Sequence, residues 1–310
     1  MLRLKSPTIP FVEGLMSLDW IGSIIIVGGT ICFLLGLETG ATGDQGWSSA
    51  KVICLITFGV LLLVGFFIYE AKLAKNPLIP SHIFTKITNI AAFTTACLQS
   101  FVFIAYDYFV PLYFQVVLGF KPLISGVSLF ALVIPLSLAT MSTGLFVART
   151  GNYLLPTRAA AAIMTLGTGL FISFGEEVNW AKNILFLIIA GFGVGPLFQA
   201  PMIALQTHVK PVDISAAMSA FTFMRSLFSS ASIVVGSVIL QRSLPGDGLT
   251  LGHDQGDPGE GASREDTRHY VAALRIMWIA YTAIAGLMLL VTFFVRKADT
   301  KSSEVIRDID

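Results

Sequence analysis

PLISGVSLFALVIPLSLATMSTGLFVA, running from Pro122 to Ala148, contains no Asp, Glu, Lys, Arg or His. As a helix it would be about 40 Å long. A hydrocarbon core about 30 Å thick needs roughly 20 apolar residues of helix to cross it. A soluble domain has no place for so long an uncharged helix, so this stretch is expected to lie in a bilayer. Seven further stretches share its character: Trp20–Leu37, Val52–Tyr69, Thr88–Val110, Ala159–Gly175, Asn183–Thr207, Ile214–Gln241 and His269–Val295. Mostly short polar loops separate the eight.

Composition agrees with this. The 310 residues are 55% hydrophobic and 13% charged, with a mean hydropathy of +0.78. Soluble domains carry about 25% charged residues. A net charge of +1 gives no case for nucleic acid as a partner. Cys32, Cys54 and Cys97 all fall inside expected spans, where cysteine acts as a small apolar residue, and no disulfide is expected. The first 18 residues lack a cleavable signal pattern.

The distribution of Lys and Arg orients the spans. With the amino terminus inside, the inner loops hold Arg3, Lys5, Lys72, Lys75, Lys86, Arg149, Arg158, Lys210, Arg296, Lys297, Lys301 and Arg307. The outer side holds Lys51, Lys121, Lys182, Arg242, Arg264, Arg268 and Arg275. Four of these belong to or border the long 241–268 loop, and long loops count less. Both termini are therefore expected in the cytoplasm.

The spacing divides the chain. Residues 1–18 form a cytoplasmic segment, 19–69 a two-helix transmembrane hairpin and 70–87 a cytoplasmic linker. Residues 88–295 form a six-helix bundle, and 296–310 a charged cytoplasmic tail. Within the bundle, the Gly- and Asp-rich stretch 241–268 lacks the apolar residues needed to fold and is expected to be a flexible outer loop. Its acids do not have calcium-loop spacing. The Gly191-Phe-Gly-Val-Gly195 run follows no strand, so it is not a nucleotide loop. The four histidines lie in loops or at span ends with no metal spacing, and no nucleophile–base set is visible. No enzyme, cofactor or metal is expected.

A few polar residues inside the spans are candidates for function. Asp107 lies toward the outer end of its span, as a functional intramembrane acid or as an interfacial one that meets water or Arg275. Arg225 lies about three turns into its span, among Phe221, Phe223 and Phe228, and is costly there unless it finds polar partners or snorkels toward the inner interface. Gln99, Gln199 and Gln206 sit in apolar helices and Gln115 just past one; each either bonds a neighbouring helix or lines a cavity. Tyr106, Tyr108 and Tyr113 cluster at an outer end, as an aromatic belt would. Pro111, Pro135, Pro196 and Pro201 are candidate hinges.

Three segments carry more than hydropathy: Tyr108-Phe-Val-Pro-Leu-Tyr-Phe-Gln-Val-Val-Leu-Gly119 with Ser125-Gly126; Gly144-Leu-Phe-Val-Ala-Arg-Thr-Gly-Asn-Tyr153; and Gly191-x-Gly-x-Gly195 with Pro201, Gln206, Ala216/Ala217 and Phe223-Met-Arg225. Together they resemble the carboxy-terminal half of the major facilitator superfamily, and most of all its fourteen-span drug:proton antiporter branch of fungal toxin-efflux type. The resemblance runs from about Ser17 to Val295. It implies an all-α integral membrane fold of eight transmembrane helices: two linker helices plus a six-helix bundle, with the family's first six spans lying outside this chain. Where the family often has an acid before the loop arginine, this chain has Ala148.

The resemblance implies export of a hydrophobic small molecule such as a secondary metabolite or toxin, coupled to protons, across the plasma membrane. It implies substrate or cavity roles for Gln99, Tyr106, Asp107, Tyr113, Gln115, Gln199 and Gln206, and gating or structural roles for Arg149, Gly151, Gly191, Gly193, Gly195, Pro201 and Arg225. Membrane lipids, the substrate and protons are the expected partners, together with self-association or a separate amino-terminal half. The alternative is a truncated, non-transporting remnant or a structural membrane partner.

Overall fold

The computed structural model describes residues 19–42, 46–72, 81–244 and 264–296. The expected amino-terminal segment 1–18, residues 73–80 of the 70–87 linker, most of the 241–268 loop and all but the first residue of the 296–310 tail lie outside the described residues. Among the described residues the regular structure is entirely helical, and eight helical stretches are long and apolar enough to cross a membrane. This is the all-α, eight-span architecture expected from hydropathy.

The chain divides into two compact units, residues 1–82 and 83–310. The first is a hairpin of α1 (Trp20–Thr42) and α2 (Ala50–Lys72), joined through a 3₁₀ turn at Gly46–Ser48. Asp19 starts α1: its Oδ1 accepts the Gly22 N–H at 2.9 Å and the Tyr69 hydroxyl of α2 at 3.1 Å. Gly36 lets the helices close, because a Cβ there would fall 3.0 Å from the Ile56 backbone nitrogen.

The second unit begins at Ile83, within the 3₁₀ turn Ser81–Thr85, and the Ile83 carbonyl accepts the Asn89 side chain at 2.8 Å. It then runs α3 (Ile87–Val116), α4 (Pro122–Ser128), α5 (Phe130–Thr150), α6 (Leu154–Phe171), α7 (Trp180–Gln206), α8 (Ile214–Ser243) and α9 (Arg264–Thr292). α4 and α5 form one span. They are separated by a tightened turn in which the Leu129 N–H reaches back three residues to Gly126. α7 packs on α5 and α6, α3 on α8, and α9 on α6, α3 and α8. α3 is the most buried of the spans.

Charge placed the span ends imperfectly. α6 starts at Leu154, before Arg158, and α9 starts at Arg264, before Arg268. The helices extend past the apolar window, so these cations sit in their first turns. Gln115 likewise lies inside α3. All four prolines lie within helices that continue through them.

The core is aromatic. Trp278 of α9 contacts Tyr106 of α3 and Phe171 of α6, with ring centroids 6.1 and 5.0 Å apart. Hydroxyls then stitch the helices together. Tyr106 and Thr168 share a hydrogen bond of 2.5 Å, Thr165 donates to the Ala285 carbonyl at 3.0 Å, and Tyr281 donates to the Ser232 carbonyl at 2.7 Å. In lipid there is little hydrophobic force between helices, so such bonds and close packing hold the bundle.

Candidate functional site

The three glycines of the Gly191–Gly195 run serve two faces of α7. A Cβ on Gly191 or Gly195 would land on the carbonyl oxygens of Leu132 or Leu136 in α5, and one on Gly193 would land on the Met164 nitrogen of α6. The alternation lets one helix approach two neighbours at backbone distance. Thr140 uses the closeness to donate to the Gly195 carbonyl at 3.0 Å. Pro201 is buried farther along the same helix.

Tight packing of α7 positions Phe198, and α3 and α8 bring the rest of the site to it. The Arg225 Nε–H of α8 donates to Ser100 Oγ at 2.7 Å, and Nη2 donates to Gln99 Oε1 at 2.9 Å. The guanidinium carbon stands 4.6 Å from the Phe198 ring centroid and 5.8 Å from that of Phe221. Both rings are braced in turn, Phe198 edge-on by Phe103 at 5.3 Å and Phe221 by Phe93 at 5.6 Å. Gln99 and Ser100 are buried, while Arg225 is half-buried. Gln99 and Arg225 each lie near the middle of a thirty-residue helix. The arrangement presents a cation deep in an apolar bundle, held by two neutral acceptors and two aromatic rings.

Beside Arg225 runs a row of hydroxyls. Ser215, Ser219, Thr222 and Ser226 are exposed and spaced along one face of α8. Ser219, Thr222 and Ser226 each donate to the carbonyl four residues back, at 3.0–3.1 Å. The exposed face of α4 and α5 is different in kind, with Val127, Phe130, Ile134, Leu138, Met141 and Leu145. An apolar exposed face suits lipid; a hydroxylated one beside a half-buried arginine suits water, a ligand or another protein surface.

The remaining sequence candidates separate by position. Tyr106 and Tyr113 are fully buried. The hydroxyl of the first is bound to Thr168; that of the second donates to the Gly175 carbonyl at 2.8 Å, with its ring stacked 4.6 Å from Phe174. Both side chains are thus engaged in packing within the bundle. Gln199 reaches toward α5, where a Cβ on Gly144 would stand 2.9 Å from its Oε1. The Gln206 amide donates to Met218 Sδ at 3.0 Å, and Gln115 is exposed, 3.5 Å from Ser125 Oγ. Asp107 is half-buried and makes no hydrogen bond or ion pair to any described residue; Arg275 is exposed, and the two do not pair.

At the basic end, Gly151 terminates α5 with φ +63° and returns its N–H to the Val147 carbonyl at 2.8 Å. Asn152 then starts α6 by accepting the Leu154 N–H at 3.1 Å, and Tyr153 donates to the Arg296 carbonyl at 2.9 Å. Arg149 stands exposed in the last turn of α5, where a cation favours the helix dipole. Ser100, Phe198 and the hydroxyl row did not stand out in the sequence. The adjacent Gln99-Ser100 pair at mid-span was the available signal for Ser100.

A family model described as "Fungal trichothecene efflux pump" matches residues 4–146. Over 317 residues the chain is 38% identical to the "MFS-type transporter ppz2" of Metarhizium majus, covering 96% of this chain and 55% of that protein. Over nearly its whole length the chain is thus similar to fungal transporters of the major facilitator superfamily. It is also 38% identical to "Efflux pump dotC" of Dothistroma septosporum, over 99% of this chain and 56% of that one, and 34% identical to an MFS-type transporter of Aspergillus terreus. This is a transporter family and not an enzyme family. The chain spans just over half the length of the curated relatives it matches. Its apolar helices and its similarity to these transporters make it an integral membrane protein.

Proposed function

We propose that this chain forms the carboxy-terminal bundle of an exporter that moves hydrophobic small molecules, such as a secondary metabolite or toxin, out of the cell in exchange for protons. One observation carries the reading. A half-buried Arg225, held by Gln99 and Ser100 between two phenylalanines, borders the exposed hydroxyl face of α8 at mid-bundle depth. A polar lining on a transmembrane bundle is expensive unless it faces a water-filled path or a substrate.

The relatives contain roughly as much chain again, and a second bundle, supplied by an amino-terminal half or another copy, would complete the path. Rocking of two bundles around a central site then gives alternating access. The close Gly191–Gly195 contacts of α7 with α5 and α6 suit these three helices to move together. Asp107, half-buried on α3 and seven residues beyond Ser100, is the acid we assign to the proton. The lysines and arginines favour cytoplasmic termini, and export favours the plasma membrane.

The test is flux in sealed vesicles from cells that express the protein, loaded with a fluorescent amphiphile such as 1-pyrenebutanoate. The proposal expects loss of dye above control vesicles that an imposed pH gradient accelerates. Folded, inserted protein with no flux above control would support the non-transporting membrane partner instead.

A further inference from the structure

We infer that the Arg225–Gln99 corner is an anion subsite, and that the substrates handled here include amphiphiles carrying a carboxylate or another compact negative group. The inference rests on the transport reading and narrows it.

The argument starts from a mismatch between donors and acceptors. A guanidinium has five N–H groups and no acceptor. Ser100 and Gln99 take one each. The others have no acceptor among the described residues. Gln99 adds a further donor, because its Nε2 is buried without a partner. Reversing the amide does not help, since it would turn an NH2 toward the guanidinium; Arg225 itself fixes which atom is oxygen. The corner thus holds several unused N–H groups, against only the second lone pairs of Gln99 Oε1 and Ser100 Oγ as acceptors. An anion is acceptor-only, and a carboxylate can take two N–H groups at once.

No acid among the described residues pairs with Arg225. One ion pair, Arg268–Glu176 at 3.5 Å, stands exposed elsewhere. Asp107 lies about 10 Å farther along α3 than Ser100. Lipid phosphates are ruled out by depth, because Arg225 and Gln99 sit near the middle of helices about 45 Å long. Phe198 and Phe221 stand close to the guanidinium, and their rings suit the apolar body of an amphiphile. Exposed Thr222 and Ser226 leave the side of α8 beside Arg225 open for approach.

The test compares three probes with one apolar body: 1-pyrenebutanoate, 1-pyrenebutanol and 4-(1-pyrenyl)butyltrimethylammonium. Binding to the purified full chain in phosphatidylcholine nanodiscs is read by fluorescence, with empty nanodiscs subtracted. The anion should bind tighter than the alcohol by roughly tenfold or more, as hydrogen bonds to a charged group imply, and the cation should bind weakest. In R225Q the anion-to-alcohol ratio should fall to about one. R225K should keep part of it, and Ser137→Ala, on the exposed side of α5, should keep all of it. Gln99→Leu, which removes one anchor of the guanidinium, should lower the ratio several-fold. The wild-type ratio decides even where R225Q does not fold. Equal binding of anion and alcohol by the wild-type protein, or an undiminished ratio in R225Q, overturns the subsite alone. Folded protein that binds none of the three overturns the transport reading and the subsite with it.

Discussion

Gly193→Ala sets two known effects against each other. Alanine is worth about 1 kcal/mol more than glycine inside a helix. At Gly193, however, the added Cβ would meet Met164 backbone nitrogen and Cα and the Ile163 carbonyl carbon. These are backbone atoms, so no side chain can rotate away, and α6 and α7 must separate. Overpacking of this kind costs about 1–3 kcal/mol, occasionally more, and separation also loosens Gly167 against Ala190. The net expectation is a loss of about 1–2 kcal/mol. Gly286 on α9 is the internal control, because a Cβ there has nothing within 4 Å. Gly286→Ala should therefore be neutral or stabilising by up to about 1 kcal/mol. Thermal unfolding in detergent, followed by size-exclusion chromatography or tryptophan fluorescence, would show opposite shifts, at roughly 2–4 °C per kcal/mol for a unit of this size. Equal shifts for the two variants would refute the argument that backbone contact at α7 holds the bundle.

Other consequences follow from particular contacts. Tyr106→Phe deletes the bond to Thr168 and should lower stability by about 1 kcal/mol without changing flux, because the residue lies in the core; a flux defect at normal stability would return it to the substrate path. Gly151→Ala forces a side chain onto a φ of +63° and should cost about 1 kcal/mol, measured by the same melting assay. Asp107→Asn should abolish acceleration of dye flux by a pH gradient while leaving dye exchange at equal pH; gradient-driven flux at the wild-type rate would remove Asp107 from proton coupling.

What could be seen in the sequence followed from local physics. The uncharged run Pro122–Ala148 had one stable environment, and the same logic recovered the other spans. Gly151 falls in the gap between two expected spans, and its left-handed backbone is the reason glycine stands there. Contacts between distant positions were not legible. Gln99 and Arg225 are 126 residues apart, and hydropathy treats each as an isolated anomaly. The surroundings of Tyr106 were hidden for the same reason, because a tyrosine near a span end fits an aromatic belt until Thr168, Phe171 and Trp278 are seen around it. Asp107 and Arg275 looked like a pair because both approach the same end of the bundle, yet Arg275 is turned outward.

Export itself is tested most directly by following 1-pyrenebutanoate in sealed vesicles containing the protein, with an imposed pH gradient and after a protonophore collapses it. Gradient-driven movement above control vesicles, lost with the protonophore and reduced in R225Q, is the predicted result. Control-level movement by folded, membrane-inserted protein would contradict it.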